Sequence, residues 1–314
     1  MPHRNGLFGV SLLAAVVLAA TCPPRPANAD AKSIYDVIDR IPQGIFDGNP
    51  RAWNGVFVPG ADIVDDLTPP FRFDPPAAFV PGAAPSAAPY PWTGGPRTAL
   101  TRLGRPIQSE QAGNAAYEVV RVRYATEKGG VKQSGTADEV FVMTADEATV
   151  PFLDSTKSIA MFASLQESDS NPHATPADPA MLAPIDALMT ATLADSPPNA
   201  KARAAIAAAY IAEPLIVDDF PPYRFSGTAA VAAWTSGFEA IFAHAKIAHL
   251  HMHLATAEFV GTSGTRATLV IPMHVAFTSN GKPSAVDGRW LFVLDDAGGL
   301  YRIVASVWAV TKHS

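Results

Sequence analysis

Apolar residues recur along the chain with two different periods, and each period predicts a different kind of element. Near the start, Ile34, Val37, Ile38, Ile41 and Ile45 follow one another at intervals of three or four residues. That spacing is typical of one face of a helix, so a helix is predicted over residues 31–48. The same reasoning predicts helices over residues 51–58, 181–194, 200–212 and 228–250.

Other segments alternate apolar and polar side chains and are predicted to be strands. From Tyr117 to Tyr124 the alternation indicates a strand with one wet face, on which Arg121 and Arg123 are expected to be solvated. Asn280-Gly281 is a strong hairpin signal between two later strands. Strands are predicted at both Ile-Val-Asp-Asp stretches and over residues 117–124, 139–143, 158–162, 249–260, 267–278, 289–294 and 301–311.

The chain contains an internal repeat, and this repeat sets its organisation. Ile63 and Ile216 each begin the letters Ile-Val-Asp-Asp, which lead into two prolines, an aromatic residue, arginine and phenylalanine. The offset is 153 residues at the isoleucines and 152 at the prolines. Further along, Gly113 matches Gly264 at an offset of 151, as residues 141–143 match residues 292–294. A near-constant offset across strands and turns predicts two copies of one folding unit.

The repeat and the proline pattern divide the chain into two predicted domains. The first spans residues 30–165 and the second spans residues 179–314, with a polar linker at residues 166–178. In the first domain, a Pro-rich loop at residues 74–96 replaces the long helix of the second copy. The first domain is therefore expected to be the degenerate copy, and a pocket is expected in the second.

Residues 1–29 have the composition of a secretory signal. Residues 7–20 are an almost unbroken apolar run after the basic Arg4, and Ala27-Asn28-Ala29 supplies the small residues that signal peptidase accepts. Cleavage after Ala29 predicts a periplasmic or secreted protein. The alternative is a lipoprotein anchored through Cys22, which is the only cysteine of the chain.

Composition and motifs argue against several classes of function. The chain has 23 basic and 29 acidic side chains and no basic run, which disfavours nucleic-acid binding. Once Cys22 is removed with the signal, neither disulfides nor thiol chemistry are available. The apolar run near the start is shorter than the ~20 residues of a membrane span. Neither half carries a Gly-rich phosphate loop or a nucleophile elbow, so no cofactor is predicted.

Three stretches of the second copy carry a resemblance to a known family. They are residues 218–227 with Val231 and Trp234, residues 288–294, and residues 301–303 with Trp308. Together with the order of helices and strands, they resemble the NTF2-like superfamily, specifically its SnoaL-like branch. The second copy matches over nearly its whole length, whereas the first departs from the pattern at the long helix.

The resemblance implies an α+β fold of two cone-shaped domains. Each would be a curved antiparallel sheet packed on N-terminal helices around a mostly apolar pocket. Members of this family include isomerases, dehydratases, cyclases and binding proteins without catalysis, so the fold alone does not give the activity. They often pair sheet to sheet as dimers. A tandem chain is therefore expected to pack its first domain on its second as a pseudo-dimer.

Asp218 and Asp219 are the candidate catalytic acids. Adjacent residues of a strand point to opposite faces, so only one of the two carboxyls can enter the pocket. The resemblance to ketosteroid-isomerase-like relatives implies that this carboxyl acts as a general base, with Tyr223 or His274 as hydrogen-bond donor. The alternative is that the inward Asp bonds only the backbone or Arg224.

Aromatic residues at Trp234, Phe238, Trp290 and Trp308 are candidate ligand-binding residues, although their spacing also suits a plain core. The leading hypothesis is therefore an exported protein that binds a small apolar molecule or acts as a scaffold. A SnoaL-like isomerase or hydro-lyase is the alternative. Whether the chain is an enzyme stays open from the sequence.

A third hypothesis is metal binding through a histidine-rich strand. His249, His251 and His253 alternate with apolar residues, so all three imidazoles share one face. His274 on the neighbouring strand would add a ligand. The competing interpretation is that the apolar residues face the core, which places the histidines on the outer surface.

Overall fold

The computed structural model describes residues 57–66, 71–73, 97–128, 131–145, 157–167, 177–194 and 198–313. Two sheets of seven strands each dominate these residues. Among them, no helix is both long and apolar enough to cross a membrane. The α+β fold class predicted from the sequence is confirmed.

The first sheet is built by the first copy of the repeat. Its strands are β1 (Phe57–Asp65), β2 (Arg72–Phe73), β3 (Arg97–Arg102), β4 (Gln108–Ala112), β5 (Ala115–Lys128), β6 (Val131–Ala145) and β7 (Lys157–Gln166). They are ordered β2-β1-β7-β6-β5-β3, and β4 also pairs with β5. The strand β7 continues one residue into the predicted linker.

The second copy adds three helices to its sheet. In chain order its elements are α1 (Pro179–Ala194), α2 (Ala200–Ala209), β8 (Tyr210–Val217), β9 (Arg224–Ser226), α3 (Ala230–Ala245), β10 (Ala248–Leu254), β11 (Phe259–Ser263), β12 (Arg266–Ser279), β13 (Lys282–Asp296) and β14 (Tyr301–His313). The strand order is β9-β8-β14-β13-β12-β10, and β11 also pairs with β12.

The two sheets have the same topology, strand for strand. Gln108 pairs with Val119 in the first sheet, and Phe259 pairs with Val270 in the second, so both partners shift by 151 residues. Each sheet also contains one parallel pair, β1 with β7 and β8 with β14. The other strand pairs are antiparallel, as predicted, and the parallel pair forms because the first and last long strands of each copy lie side by side and run in the same direction.

The helix α3 shows how the apolar pattern of the second copy becomes a core. Trp234, Phe238, Ile241 and Phe242 are all buried on one face, and burial of each such side chain contributes about 1.5 to 3 kcal/mol. The helix ends at Lys246, whose backbone adopts the left-handed conformation with φ 47°. It is therefore shorter than the predicted 228–250, because the chain must turn there to enter β10.

The strands of the second sheet present different sets of side chains to their two faces. Along β13, Trp290 and Phe292 belong to the core under the helices, whereas Leu291 and Val293 belong to a second cluster. That second cluster contains buried residues of both sheets, among them Val64, Val119, Val140, Val142, Met161, Leu165, Leu215, Val217, Val304 and Val307. The faces turned away from the helices of the second copy thus contact the first sheet.

Several sequence predictions lie outside the described residues. These are the signal segment at residues 1–29, the helix over residues 31–48, most of the helix over 51–58, and the Pro-rich loop at residues 74–96. The predicted end of the helix over residues 51–58 is wrong, because Phe57 and Val58 belong to β1, where Phe57 pairs with Ile159. The hairpin at Asn280-Gly281 is confirmed, with both residues at positive φ and Ser279 paired with Lys282.

Candidate functional site

An apolar cavity lies between the helices and the sheet of the second copy. The cavity is small, because the centre of a water molecule could occupy only about 40 Å³ within it. Space of that size admits more than one water-sized molecule but is tight for a large ligand. The lining residues are Thr192, Asp218, Trp234, Phe238, Phe242, Ile247, Leu250, Met252, Met273, Val275, Phe277, Val286, Trp290 and Trp308.

Asp218 is the one ionisable group in the cavity wall among the described residues. It directly follows β8, and its carboxyl accepts hydrogen bonds from the Trp234 indole at 2.7 Å and from the Asp219 backbone amide at 2.8 Å. Burial, and next the neighbouring Asp219 carboxyl, raise the pKa of Asp218 well above its ordinary value. The carboxyl therefore keeps its proton to an unusually high pH.

Trp290 offers the cavity a second hydrogen-bond donor. Its side chain lines the wall, and its buried indole nitrogen has no hydrogen-bond partner within the part of the chain that the structure describes. The hydroxyl of Thr192, by contrast, already donates to the Leu188 carbonyl at 2.8 Å. A buried donor without a partner carries a desolvation cost of about 1 to 3 kcal/mol, which a ligand with an acceptor would relieve.

The structure places the predicted site residues in three locations: the cavity, the buried side facing the first sheet, and the outer surface. Asp218 and all four candidate ligand-binding aromatics, Trp234, Phe238, Trp290 and Trp308, line the cavity. Asp219 and Tyr223 are buried on the other side, where Tyr223 stacks on Tyr117 of the first sheet with ring centres 5.8 Å apart.

His274 does not reach the cavity, so its predicted role as donor to the ligand has no support from its position. It is half exposed, and its Nδ1 lies 2.6 Å from the Asp287 carboxylate. Its neighbours on the strand, Met273 and Val275, point to the cavity instead.

The alternative partner proposed for the inward Asp is also corrected. Arg224 binds the Asp62 carboxylate of the first copy, with Nε to Oδ2 at 2.7 Å, rather than Asp218. Its guanidinium is drawn to Asp62 because the two sheets meet there. The same interpretation also proposed a hydrogen bond to the backbone, and Asp218 does accept one from the Asp219 amide.

The histidine strand lies on the outer surface. His249, His251 and His253 are exposed, while Leu250 and Met252 line the cavity. His253 is opposite His274 across the β10–β12 pair. Within the described ranges, no cluster of three or more acidic, histidine or cysteine side chains has the geometry to hold a metal ion.

A charged network connects the two sheets, and sequence reasoning missed it. Arg289 of β13 contacts Asp138, Glu167 and Glu258, and Arg121 of β5 contacts the first two of these acids. The expectation that Arg121 is simply solvated was therefore wrong. Only the contact between the sheets brings these five side chains together. The sequence held one signal of it, because Asp138 and Arg289 are 151 residues apart and so occupy equivalent positions of the two copies.

Equivalent positions of the two copies make matching contacts across the sheets. Arg72 donates to the Glu213 carbonyl at 3.4 Å, and its counterpart Arg224 donates to the Gly60 carbonyl at 3.2 Å. Gly60 and Glu213 are themselves counterparts at the offset of 153. Asp138 and Arg289 are counterparts that contact each other directly.

The fold and site thus define an α+β chain of two like sheets in contact, with an apolar cavity under the helices of the second. No family model matches the chain, and no curated protein matches it. Among solved structures, the chain is similar to an NTF2-like superfamily protein from Salmonella enterica, with 16% identity and a TM-score of 0.32 over 45% of this chain and 93% of that one.

Two further solved structures show the same degree of likeness. One is a ketosteroid isomerase-like protein from Erwinia carotovora, with 17% identity and a TM-score of 0.33 over 42% of this chain and 95% of that one. The other is a type 2 hexachlorocyclohexane dehydrochlorinase, with 6% identity and a TM-score of 0.34 over 42% and 86%. The TM-scores are low, so the fold assignment rests on the strand order and register described above.

Proposed function

We propose that the second copy binds a small, uncharged, mostly apolar molecule in its cavity. The observation that carries this proposal is an aromatic-lined cavity whose polar groups are all donors or already engaged. Asp218, while protonated, and Trp290 both have a hydrogen to offer, and none of the described residues that line the wall is basic. The complementary ligand carries one hydrogen-bond acceptor, such as a carbonyl or ether oxygen, on an apolar body.

We further propose that the two copies form an internal pseudo-dimer that holds this cavity in place. In a two-fold pair, residue i of one unit contacts residue j of the other and the reverse contact also occurs. The matching donations of Arg72 and Arg224 to the carbonyls of Glu213 and Gly60 have this form. A role of the paired copies as a scaffold fits these contacts equally well. Export to the periplasm or the exterior is the proposed setting, based on residues 1–29.

A second candidate is a SnoaL-like isomerase or hydro-lyase that uses Asp218 for proton transfer. The specific observation in its favour is the raised pKa of Asp218, caused first by burial, because enzymes tune buried carboxyls in this way. Against it, both carboxyl oxygens already accept a hydrogen bond.

Ligand identification by native mass spectrometry on the full chain from its natural host tests the binding proposal. We expect a bound small molecule in the wild type and at least a tenfold loss of it in Val275→Phe, because the added ring fills the cavity. Val260→Phe is the matched control. It changes a half-buried valine of β11 that does not line the cavity, and it should keep the ligand.

Two outcomes decide between the candidates. A ligand that is recovered chemically unchanged, and that Val275→Phe no longer carries, supports binding without catalysis. A ligand that is converted by the wild type but not by Asp218→Asn supports the enzyme. Full retention of the ligand by Val275→Phe, with an unchanged thermal midpoint, contradicts the cavity as the site.

A further inference from the structure

Aromatic contacts at the two ends of the inter-sheet contact show that the copies are related by an approximate two-fold axis. The Tyr223 ring stacks on Tyr117 of the first sheet, with ring centres 5.8 Å apart. Their counterparts, at offsets of 152 and 151 residues, are Phe71 and Thr268. These two also meet, around Gly261, where an added Cβ would lie 3.3 Å from the Phe71 ring and 2.9 Å from the Thr268 methyl. Reciprocal contacts of this kind are typical of a two-fold pair.

One position of the contact meets its own counterpart. Asp138 of β6 and Arg289 of β13 are 151 residues apart, so they occupy the same place in the two copies. The Arg289 guanidinium binds the Asp138 carboxylate, which is completely buried, while the arginine is 14% exposed. In a two-fold pair, a residue contacts its own equivalent where the axis passes. The axis therefore runs between these two side chains, which are called the axis pair below.

The neighbouring positions of the same strands are apolar in both copies. Val140 and Val142 follow the acid on the same face of β6, and their counterparts Leu291 and Val293 follow the arginine on β13. All four belong to the buried cluster that spans both sheets. Apolar burial is not directional, so these residues suit a like copy as well as an unlike one and do not choose the partner.

The axis pair is where the two copies carry opposite charges. If two first copies met through this face, Asp138 would face a second aspartate. If two second copies met, Arg289 would face a second arginine. Like charges placed opposite each other in a contact oppose association, and burial keeps water from screening them. A first copy with a second copy puts opposite charges on the axis instead.

The charges around the axis pair favour the same choice. Glu167 of the first copy lies 2.9 Å from Arg289, and Arg121 of the first copy contacts both Glu167 and Asp138. A pair of first copies would therefore have two acids of this network for each arginine. In a pair of second copies, Arg289 would keep Glu258 at 2.8 Å but lose both acids of the first copy.

We propose that the axis pair, Asp138 and Arg289, selects the partner of this sheet face, so that a first copy pairs with a second copy and pairing between like copies of two chains is excluded. The fitting partner is then the other half of the same chain, because the linker keeps it at a high effective concentration. This proposal rests on the sheet-to-sheet pairing proposed above but not on any ligand.

Charge reversal in the full chain tests this selection. Asp138→Arg leaves an arginine on the axis in both copies, and Arg289→Asp leaves an aspartate in both. Neither chain should close its own contact or pair with itself, whereas a mixture of the two should form a heterodimer, because each chain carries the charge that the other lacks. Light scattering gives the dimer fraction, and native mass spectrometry identifies the heterodimer by its mass. We expect at least about tenfold more dimer in the mixture than in either variant alone.

Two controls separate selection from a general effect of charge. Arg203→Asp and Glu239→Arg reverse the members of a surface ion pair in which the arginine is 52% exposed, and their mixture should contain no more dimer than the wild type. Asp138→Arg/Arg289→Asp reverses both axis charges within one chain. This double variant should close on itself and recover part of the thermal midpoint that each single variant loses.

The remaining outcomes are also decisive. If a single variant does not fold alone, the two are refolded together from denaturant, and the heterodimer should form only in the joint sample. As much dimer in one variant alone as in the mixture would overturn the selection, and so would a mixture without dimer. Single variants that keep the wild-type thermal midpoint would contradict the pairing of the sheets as well.

Discussion

Replacing Arg289 with alanine is expected to lower the free energy of unfolding by about 3 to 5 kcal/mol. The arginine is 14% exposed and contacts three acids, of which Asp138 is completely buried. Its removal leaves Glu258 without this cation and leaves Arg121 alone to balance Asp138 and Glu167. Removing one partner from a buried charged network is costly because the other charges stay desolvated.

Chemical denaturation of the full chain measures this effect, and Arg203→Ala is the matched control. Arg203 pairs with Glu239 on the surface and is 52% exposed, so its loss should cost less than about 1 kcal/mol. A cost for Arg289→Ala within error of the control would mean that the network does not hold the sheets together. Arg289→Met, which keeps the aliphatic stem, separates the loss of charge from the loss of packing.

Tyr117→Ala is expected to destabilise the protein by about 3 to 5 kcal/mol, although Tyr117 belongs to the first copy and its partners belong to the second. The ring is fully buried against Tyr223, and the hydroxyl donates to the Trp308 carbonyl at 2.6 Å. Trp308 also lines the cavity, so the truncation should weaken ligand retention as well.

Tyr117→Phe separates the two contributions. It keeps the stacked ring and removes only the hydrogen bond to Trp308, so it should cost about 0.5 to 1.5 kcal/mol. Denaturation curves of both variants give the comparison. Equal and small effects of the two changes would indicate that the Tyr117 ring does not pack against the second sheet.

The repeat made most of the fold predictable. The offset of 151 residues, read from glycines and short apolar stretches, reappears in the register of the strand pairs. The hairpin at Asn280-Gly281 was visible because its turn needs two residues at positive φ. By contrast, β4 (Gln108–Ala112) was missed, because the letters Gln-Ser-Glu-Gln-Ala carry no apolar alternation.

The candidate site was only half visible in the sequence. Asp218 and Asp219 follow the end of β8, so strand alternation does not decide which carboxyl enters the cavity. That depends on how α3 packs and brings Trp234 to Asp218. The charged residues at the inter-sheet contact, such as Arg121 on β5, looked like the wet face of a strand. Period-two alternation cannot distinguish water from a second sheet, because both faces of these strands are covered only after the two copies meet.

A double-mutant cycle between Asp62 and Arg224 tests most directly whether the two copies pack sheet to sheet within one chain. Asp62→Asn, Arg224→Gln and the double variant are compared with the wild type by chemical denaturation. The contact of Arg224 Nε with Asp62 Oδ2 at 2.7 Å predicts a coupling energy of about 0.5 to 3 kcal/mol. Effects of the two changes that add to within about 0.3 kcal/mol would contradict the pairing of the sheets.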